Sequence, residues 1–432
     1  EQKKAIDSRH GSILVSAAAG SGKTAVLVQR VIERLKDEDN PCPADELLIV
    51  TFTRAATAQM KERIYQALMS EIDKAPDSDL LKRQALPLPF AKISTIDSFC
   101  NDIVRENFHD IDISPDYGIL DNSQLALMCD DAVSRVMDEL YKENSPEFTE
   151  LVGIMANGTD DSALTDLICK LYNDSMAFAR PEEFLYGLSC VYHNDIPLED
   201  HLWGNIIIDY AAQSIEYCLM LCEKMYDAGI ADPIVGEKYS VGIANNTAMF
   251  EELAKIIEHG SWDEIRNAIS SASVGSLGRL PNKYSSAQSE SVKAQKKVLS
   301  DQLKKLTALF CASESENKDD MNYLEPIAEK LIDAVVRYGE ILNEEKKAAN
   351  SYDFSDICHF ALKLLVSYDK DGKAHKTPLA ESFAERFEEI LVDEYQDVND
   401  LQNTLFWAVS KNETNMFTVG DVKQSIYRFR QA

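Results

Sequence analysis

Short apolar runs near both ends of the chain place the strongest constraint on its fold. Each run is followed by small or polar residues and then by a helical pattern, which is typical of parallel strands joined by crossover helices. Four runs are clear, at 13–15, 47–50, 390–392 and 417–419, and a weaker fifth lies at 92–96. In sheets of this kind, ligands bind at the carboxyl ends of the strands. The sequence therefore predicts an α/β fold with a parallel sheet, and functional residues just after these strands.

The middle of the chain has a different pattern, because apolar residues recur at helical spacing from about 122 to 350. Two stretches show this best: Ile208, Ala211, Ile215, Cys218, Cys222 and Met225, and then Leu299, Leu303, Leu306 and Phe310. A segment rich in Ser, Gly and Asn at 271–289 indicates a loop, and no fixed-period repeat supports a solenoid. We expect a large all-helical insertion, 122–350, between two portions of one α/β domain, 1–121 and 351–432.

Composition limits the class of protein. With 432 residues, of which 45% are hydrophobic and 27% charged, the chain is long enough for two or three domains with ordinary cores. No run of 18 apolar residues predicts a transmembrane helix, and the first residues do not resemble a secretory signal. The nine cysteines are scattered without a CxxC pair, which fits reduced thiols. We expect a cytoplasmic protein that does not bind a membrane.

The net charge of −29 predicts a surface that repels nucleic acid on average. Any DNA binding would therefore need a local basic groove. One candidate is the stretch 283–305, where six lysines face only Glu290 and Asp301. A solvated helix face explains this stretch equally well.

The first chemical motif is AAAGSGKT at 17–24, between a predicted strand and a predicted helix. A nucleoside triphosphate needs backbone N–H groups around its β-phosphate, a cation on its β and γ oxygens, and a hydroxyl on Mg²⁺. The residues that supply these groups at the spacing of a phosphate-binding loop (P-loop) are Ala19, Gly20, Ser21, Gly22, Lys23 and Thr24. Ala17 stands where the general pattern has Gly, which an ordinary φ angle allows. The motif predicts a site for ATP and Mg²⁺.

Two acidic residues follow the predicted strand 390–392, in the stretch ILVDEYQD. Asp393 is suited to hold Mg²⁺, and Glu394 is suited to polarise a water for attack on the γ-phosphate. For such a pair alone, an acidic loop that caps the next helix is the simpler alternative. Lys23 and Asp393 can serve one Mg·ATP only if a domain is inserted between adjacent strands of one sheet. The helical middle fits that role.

The third motif is FTVGDVKQSIYRFR at 417–430. Gln424 follows the predicted strand and is suited to hydrogen-bond a γ-phosphate. Aromatic rings and cations then alternate over Tyr427, Arg428, Phe429 and Arg430, as in platforms for unpaired bases and their phosphates. Core aromatic residues beside surface arginines are the alternative interpretation.

Together, five stretches resemble the first motor domain of superfamily 1 DNA helicases of the UvrD/RecB type: AxAGSGKT, TFTRAATAQMKERI (51–64), TIDSFC (95–100), DEYQD and VGDVKQSIYRFR. The last of these, with YDFSDICHFAL at 352–362, is similar in detail to the AddA component of AddAB-type helicase-nucleases. The resemblance is dense over 1–105 and 350–432. It implies a RecA-like P-loop NTPase domain that carries the large all-helical insertion.

The resemblance also implies a role for each matching position. Gln2 would read the adenine edge with its free amide. Lys23 and Thr24 would hold phosphate and Mg²⁺, and Asp393 would hold the metal. Glu394 would activate water, and Gln424 would sense the γ-phosphate, so that Lys23, Glu394 and Gln424 are the implied catalytic residues. Single-stranded DNA would lie along Thr51, Phe52, Thr53, Arg54, Ser98, Phe99, Tyr427, Phe429 and Arg430.

Two positions depart from the family pattern. Asp97 stands where the family usually has His, and a carboxylate near a phosphate track is unfavourable unless it is neutralised. Arg54 stands where Asn is common. We hypothesise that Arg54 offsets the charge of Asp97.

The resemblance implies ATP-driven movement along DNA by a helicase-exonuclease that acts in double-strand break repair and recombination. Its implied partners are single-stranded and double-stranded DNA and a second nuclease protein of the AddB type. A second motor domain and a nuclease domain would lie beyond Ala432. Two alternatives stay open: a UvrD/PcrA-like repair helicase without a nuclease, and a catalytically silent helicase-fold scaffold. A small-molecule P-loop kinase explains the aromatic stretch 427–430 less well.

Overall fold

The computed structural model describes residues 2–9, 11–16, 22–40, 42–85, 87–155, 160–421 and 423. The chain forms two compact units. Unit 1 comprises residues 1–185 and 331–432, and unit 2 comprises residues 186–330. The limits of the predicted insertion, 122–350, differ from the limits of unit 2, and they stay a prediction.

Short strands lie in unit 1. In chain order they are β1 (Ile13–Ser16), β2 (Leu47–Thr51), β3 (Lys92–Thr95), β4 (Gly118–Ile119), β5 (Ser351–Tyr352), β6 (Val366–Tyr368), β7 (Ala374–Lys376), β8 (Glu389–Val392) and β9 (Met416–Gly420). β4 and β5 form a small parallel pair, and β6 and β7 form an antiparallel hairpin.

Helices make up most of the remaining described chain. The first nine are α1 (Gln2–Asp7), α2 (Lys23–Leu35), α3 (Arg54–Lys74), α4 (Asp79–Ala85), α5 (Ile96–Glu106), α6 (Asn122–Glu143), α7 (Pro146–Met155), α8 (Ser162–Ser175) and α9 (Pro181–Ser189). They are followed by α10 (Leu202–Ala231), α11 (Pro233–His259), α12 (Trp262–Ser271), α13 (Ala287–Leu309), α14 (Glu314–Ala348), α15 (Phe354–Leu365), α16 (Pro378–Arg386) and α17 (Asp400–Val409). Within the described ranges, no helix has the length and apolar character needed to cross a membrane.

Five strands form one parallel sheet in the order β1-β9-β8-β2-β3. Their carboxyl ends are nearly level, because Ser16 pairs with Gly420, Val392 with both Thr418 and Val50, and Thr51 with Thr95. The predicted parallel sheet is confirmed for all five apolar runs, although Ile96 begins α5 instead of ending β3. Strand ends that are far apart in sequence therefore meet at one edge of the sheet.

Helices cover both faces of the sheet, and alternate side chains of each strand point to opposite faces. On one face Val50 and Val392 pack in a core with α5, α15 and α17. On the other face Ile49 and Leu391 pack in a core with α2 and α3. Every residue of β2, β8 and β9 is buried, so these strands are covered on both faces. The edge strand β1 is different, because Leu14 is exposed.

The predicted helical character of the middle is confirmed from α6 to α14. In unit 2, Ala211, Ile215 and Cys218 lie on the buried side of α10, in a core that also contains side chains of α11 and α13. The predicted loop is slightly shorter, at 272–286, between α12 and α13. On α13, the exposed Lys293 pairs with Glu290 at 2.8 Å, as a solvated helix face would; DNA binding by this stretch stays a prediction.

Three buried charged side chains connect α2 to the sheet. The sequence pattern did not predict this cluster. Arg30 Nε and Arg34 Nε of α2 lie 2.5 and 3.1 Å from the two carboxylate oxygens of Glu389, the first residue of β8. The Arg30 guanidinium also donates to the backbone carbonyls of Ala5 and Ser8, at 2.6 and 2.8 Å. These contacts join α1, α2 and the amino end of β8, at the opposite end of that strand from Asp393.

Candidate nucleotide-binding site

The end of β1 leads into the first motif. Residues 17–21, which include the predicted site residues Ala19, Gly20 and Ser21, lie outside the described residues. Gly22 has a left-handed backbone, with φ 86° and ψ 26°, and immediately precedes α2. Residues with a side chain rarely adopt this conformation, so Gly is required here. The turn places Lys23 and Thr24 in the first turn of α2, where free backbone N–H groups favour an anion.

The end of β8, which lies between β9 and β2 in the sheet, leads into the second motif. The Asp393 amide donates to the Val50 carbonyl at 3.1 Å, which extends the β2–β8 pairing by one residue. Glu394 then adopts a left-handed backbone, with φ 52° and ψ 42°. This conformation is uncommon for a residue with a side chain, and such residues concentrate at functional sites. The two carboxylates differ in burial, because Asp393 is buried and the Glu394 side chain is 42% exposed.

The structure brings the two motifs together. Thr24 Oγ1 lies 3.5 Å from Asp393 Oδ2, and Lys23 Nζ lies 3.3 Å from Glu394 Oε2. These pairs join residues that are 369 and 371 positions apart in sequence. Lys23 is 9% exposed and Glu394 is 42% exposed, so the lysine is held within the site while the glutamate faces open space.

Burial raises the pKa of Asp393. Loss of solvent raises the pKa of the Asp393 carboxyl above its usual value, and the neighbouring Glu394 carboxylate raises it further. The Glu394 amide, the Lys23 ammonium and the Thr24 hydroxyl act in the opposite direction. A buried carboxylate with too little positive charge around it is suited to bind a cation. A hydroxyl and a carboxylate oxygen are also the ligand types that Mg²⁺ prefers, with phosphate oxygens completing its shell.

Open cavities adjoin these residues. One of about 390 Å³ is lined by Thr24, Thr51, Phe52, Thr53, Ala56, Gln59, Met60, Asp393, Glu394, Gln396 and Asp397. Another of about 450 Å³ is lined by Gln2, Lys4, Ala5, Ser8, Ile13, Leu14, Val15, Ser16, Lys23 and Val26. Gln2, the predicted adenine contact, thus shares a cavity with Lys23. The Gln2 amide nitrogen lies 3.6 Å from the position that a Cβ on Gly22 would occupy.

Sequence reasoning missed Gln396, although it lies inside the DEYQD string. Its side-chain Nε2 donates to Glu394 Oε2 at 2.8 Å and to Asp397 Oδ2 at 3.2 Å. Its Oε1 accepts from the Asp421 amide at 2.9 Å, just after β9. The only sequence signal was its position two residues after the glutamate, because its contact with the Asp421 amide after β9 is known only from the fold.

The segment after β2 contributes the first part of the predicted DNA track. Thr53 caps α3 by accepting from the Ala56 amide at 3.1 Å, and its side chain is exposed. Thr51 is buried, and its hydroxyl lies 2.6 Å from the Thr57 hydroxyl. Phe52 is half-buried and lines the cavity beside Asp393. Thr51 is therefore an internal support, while Phe52 and Thr53 face open space.

A separate groove of about 430 Å³ holds two other predicted DNA contacts, Arg54 and Ser98. The exposed Lys61 and the half-buried Lys92 also line it, together with the carboxylate of Asp102. Lys92 Nζ lies 2.5 Å from Asp102 Oδ2. Four of these five residues can bind or donate to a phosphate, so the groove is a local basic site on an acidic protein.

Phe99 does not lie on this surface. It is 2% exposed, and its ring packs edge-on against Phe383 at 6.0 Å between centroids and tilted against Phe387 at 6.3 Å. Because α5 begins at Ile96, Phe99 points inward toward the core while Ser98 stays half-buried at the groove. The prediction that the Phe99 ring lines a DNA track is at odds with this burial.

Asp97 occupies the first turn of α5, where the positive end of the helix dipole favours a carboxylate. The Cys358 thiol lies 3.9 Å from Asp97 Oδ1. The helix N-terminus and the Cys358 thiol can stabilise the Asp97 carboxylate without Arg54. The compensation of its charge by Arg54 stays a prediction. The predicted site residues Gln424, Tyr427, Phe429 and Arg430 lie outside the described residues.

Comparison with known families agrees with this geometry. A family model described as the UvrD/REP helicase N-terminal domain matches residues 1–432. The chain therefore belongs to the UvrD/REP helicase family.

Three curated relatives, each named as the A subunit of an ATP-dependent helicase/nuclease, are similar over the whole chain. The protein of Acetivibrio thermocellus is 36% identical over 441 aligned residues, that of Ruminiclostridium cellulolyticum 35% over 447, and that of Clostridioides difficile strain 630 34% over 449. Each alignment covers 100% of this chain and 35% of the relative. The chain thus spans about a third of the length of these relatives.

Proposed function

We propose that the chain is the ATP-binding, DNA-translocating part of an ATP-dependent DNA helicase. In this proposal unit 1 contains a RecA-like P-loop NTPase domain, and residues 122–350 are its helical insertion. The observation that carries the proposal is the contact of Lys23 and Thr24 with Asp393 and Glu394 at the carboxyl edge of one parallel sheet. Membership of the UvrD/REP helicase family supports it.

Each of the four residues has its own task in ATP hydrolysis. The Lys23 ammonium would bind the β- and γ-phosphate oxygens, and the backbone amides of the preceding loop would surround the β-phosphate. Thr24 and Asp393 would hold Mg²⁺, which supplies positive charge to the phosphate oxygens. Glu394 would orient the attacking water and take up its proton. The exposure of the Glu394 side chain and its contact with Lys23 support this role.

Two glutamines complete the proposed nucleotide site. Gln2 would hydrogen-bond the adenine edge, because its amide carries both a donor and an acceptor. It lines the same cavity as Lys23. Gln424 would contact the γ-phosphate and transmit its presence toward DNA.

Single-stranded DNA would bind at the basic groove lined by Arg54, Lys61, Lys92 and Ser98. The phosphate backbone dominates affinity for DNA, so a protein with a net charge of −29 needs such a local cluster. Phe52 and Thr53 would continue the track toward the nucleotide site, which they adjoin. Tyr427, Phe429 and Arg430 would complete it by stacking on bases and pairing with phosphates.

The names of the relatives support a wider role for the whole protein. Those relatives are named as components of helicase/nucleases, and we infer that this chain acts with a second nuclease protein of the AddB type. Its substrates would be single-stranded and double-stranded DNA at double-strand breaks, in the cytoplasm. A repair helicase without a nuclease, and a silent scaffold, remain the competing functions; ATP turnover separates the scaffold from both helicases.

Two substitutions in the full-length natural protein test the proposed site. Lys23→Ala should abolish binding of a fluorescent ATP analogue, because the phosphates lose their main cation. Glu394→Gln should keep that binding but stop turnover, because an amide cannot accept the proton of the attacking water. Lys74→Ala, on the exposed end of α3 where Lys74 pairs with Glu71, is a matched control that should change neither. Rapid hydrolysis by Glu394→Gln would rule out the assigned base.

A further inference from the structure

The amide of Gln396 joins the two halves of the candidate site. Its Nε2 donates to Glu394 Oε2 at 2.8 Å, and its Oε1 accepts from the Asp421 amide at 2.9 Å. Both ends of the side chain are therefore used, one by the second motif and the other by the segment that follows β9. The orientation is fixed by chemistry, because a flipped amide would place its oxygen against the Glu394 carboxylate and its NH₂ against an N–H group.

The fold is built closely around this contact. A Cβ on Gly420 would lie 2.8 Å from Gln396 Oε1 and 3.1 Å from the Gln396 backbone nitrogen. Since these separations are shorter than ordinary contacts, only glycine lets the end of β9 approach Gln396 without displacement. The pairing of Gly420 with Ser16 on β1 fixes the other side of this strand end.

Glu394 shares one carboxylate oxygen between two partners. Oε2 lies 3.3 Å from Lys23 Nζ and 2.8 Å from Gln396 Nε2. When Lys23 binds phosphate oxygens, its contact with Glu394 has to compete with a more highly charged partner. The Gln396 contact involves no group that the phosphates need, so it persists through that exchange.

We propose that Gln396 is a positioning residue, which holds the Glu394 carboxylate for the attacking water and ties its position to the backbone after β9. This inference rests on the proposed ATPase function. A shift of the 420–421 backbone would move Gln396 and hence Glu394. The segment that carries Gln424 could therefore change the rate of hydrolysis without touching the base directly.

The test is the separation of kcat from KM for ATP, in the full-length natural protein with single-stranded DNA present. Gln396→Met keeps the length of the side chain and removes both hydrogen bonds. It should lower kcat by about 10- to 100-fold, the range expected when a reacting group is misplaced by up to about 1 Å, with KM and analogue affinity unchanged. Gln29→Met is the matched control: Gln29 is exposed on α2 and its amide donates to the Glu33 carboxylate at 2.9 Å, so kcat should not change.

A second pair of variants keeps the test decisive if Gln396→Met folds poorly. Gly420→Ala keeps the Gln396 amide but adds a Cβ that would displace it. This variant should lower kcat with KM unchanged. Gln396→Glu retains the acceptor for Asp421 but turns the contact with Glu394 into repulsion, and should not restore kcat. A rise in KM with unchanged kcat, or wild-type kcat in Gln396→Met and Gly420→Ala, would overturn the positioning role while leaving the ATPase proposal intact. Absence of ATP binding by the wild-type protein would instead overturn the proposed function on which the inference rests.

Discussion

Substitution of Glu389 by Gln should destabilise β8 more than a surface substitution can. Glu389 supplies the carboxylate of the buried cluster formed with Arg30 and Arg34, whose side chains are 4% and 8% exposed. Arg30 also lies over the Phe417 ring at 4.4 Å. Burial lowers the pKa of Arg30, and the Glu389 charge opposes that shift. Glu389→Gln would leave two buried guanidinium groups, one helical turn apart, without this counter-charge.

The size of the effect follows from this arrangement. Removal of one partner from a buried ion pair costs about 3–5 kcal/mol, because the remaining charge stays out of water. At about 1.4 kcal/mol per factor of ten, this cost predicts that the equilibrium constant for opening of β8 rises by a factor of roughly 140 to 3,700. The Arg34–Glu389 contact is a charge contact without good hydrogen-bond alignment, so most of the loss should arise at Arg30.

Hydrogen exchange of peptides that cover β8 measures this opening directly, and it remains valid for a chain with two units that need not unfold together. The adjacent residue supplies a matched control. Glu388 pairs with Lys411 at 2.8 Å on the surface, with side chains 44% and 36% exposed, so Glu388→Gln should cost about 0–1 kcal/mol. Equal exchange rates in the two variants would refute the reasoning that burial makes the Glu389 charge important.

Three further substitutions test other features of the structure. Phe99→Ala should lower the free energy of unfolding by about 3–5 kcal/mol, because it removes a buried aromatic ring. Arg54→Gln should weaken binding of single-stranded DNA and leave the unfolding midpoint in urea unchanged. Weaker DNA binding by a fully stable Phe99→Ala protein would instead support the prediction that the Phe99 ring lines the DNA track. Burial lowers the pKa of His359, whose Nε2 donates to the Met176 carbonyl at 3.1 Å. The contribution of neutral His359 to stability is therefore complete above the unfolded pKa of about 6.5 and is lost as pH falls toward the lower folded pKa. His359→Gln should flatten the dependence of unfolding free energy on pH, measured by urea titration at pH 7.5, 6.5 and 5.5. An unchanged pH dependence would contradict this role of His359.

The sequence was most informative where local pattern and fold agree. A parallel strand covered on both faces needs to be apolar throughout, so the runs at 47–50 and 390–392 were visible without any tertiary information. The same logic predicted that residues after the parallel strands would meet, and the contact between Thr24 and Asp393 shows that they do.

The parts that could not be predicted depend on partners that are distant in sequence. Arg30 and Arg34 read as ordinary charged positions of an amphipathic helix, and only the fold reveals Glu389 between them. Phe99 follows Ser98 directly, yet a helix that starts at Ile96 turns one toward the core and the other toward the groove. Gln396 has an identifiable role only once β9 lies beside it.

The measurement that tests the central proposal most directly is ATP hydrolysis by the full-length natural protein, with and without single-stranded DNA. The proposed function predicts turnover that DNA strongly stimulates and that Glu394→Gln eliminates while nucleotide binding persists. Absence of turnover under both conditions, in a protein that still binds DNA, would contradict the motor function and favour a helicase-fold scaffold.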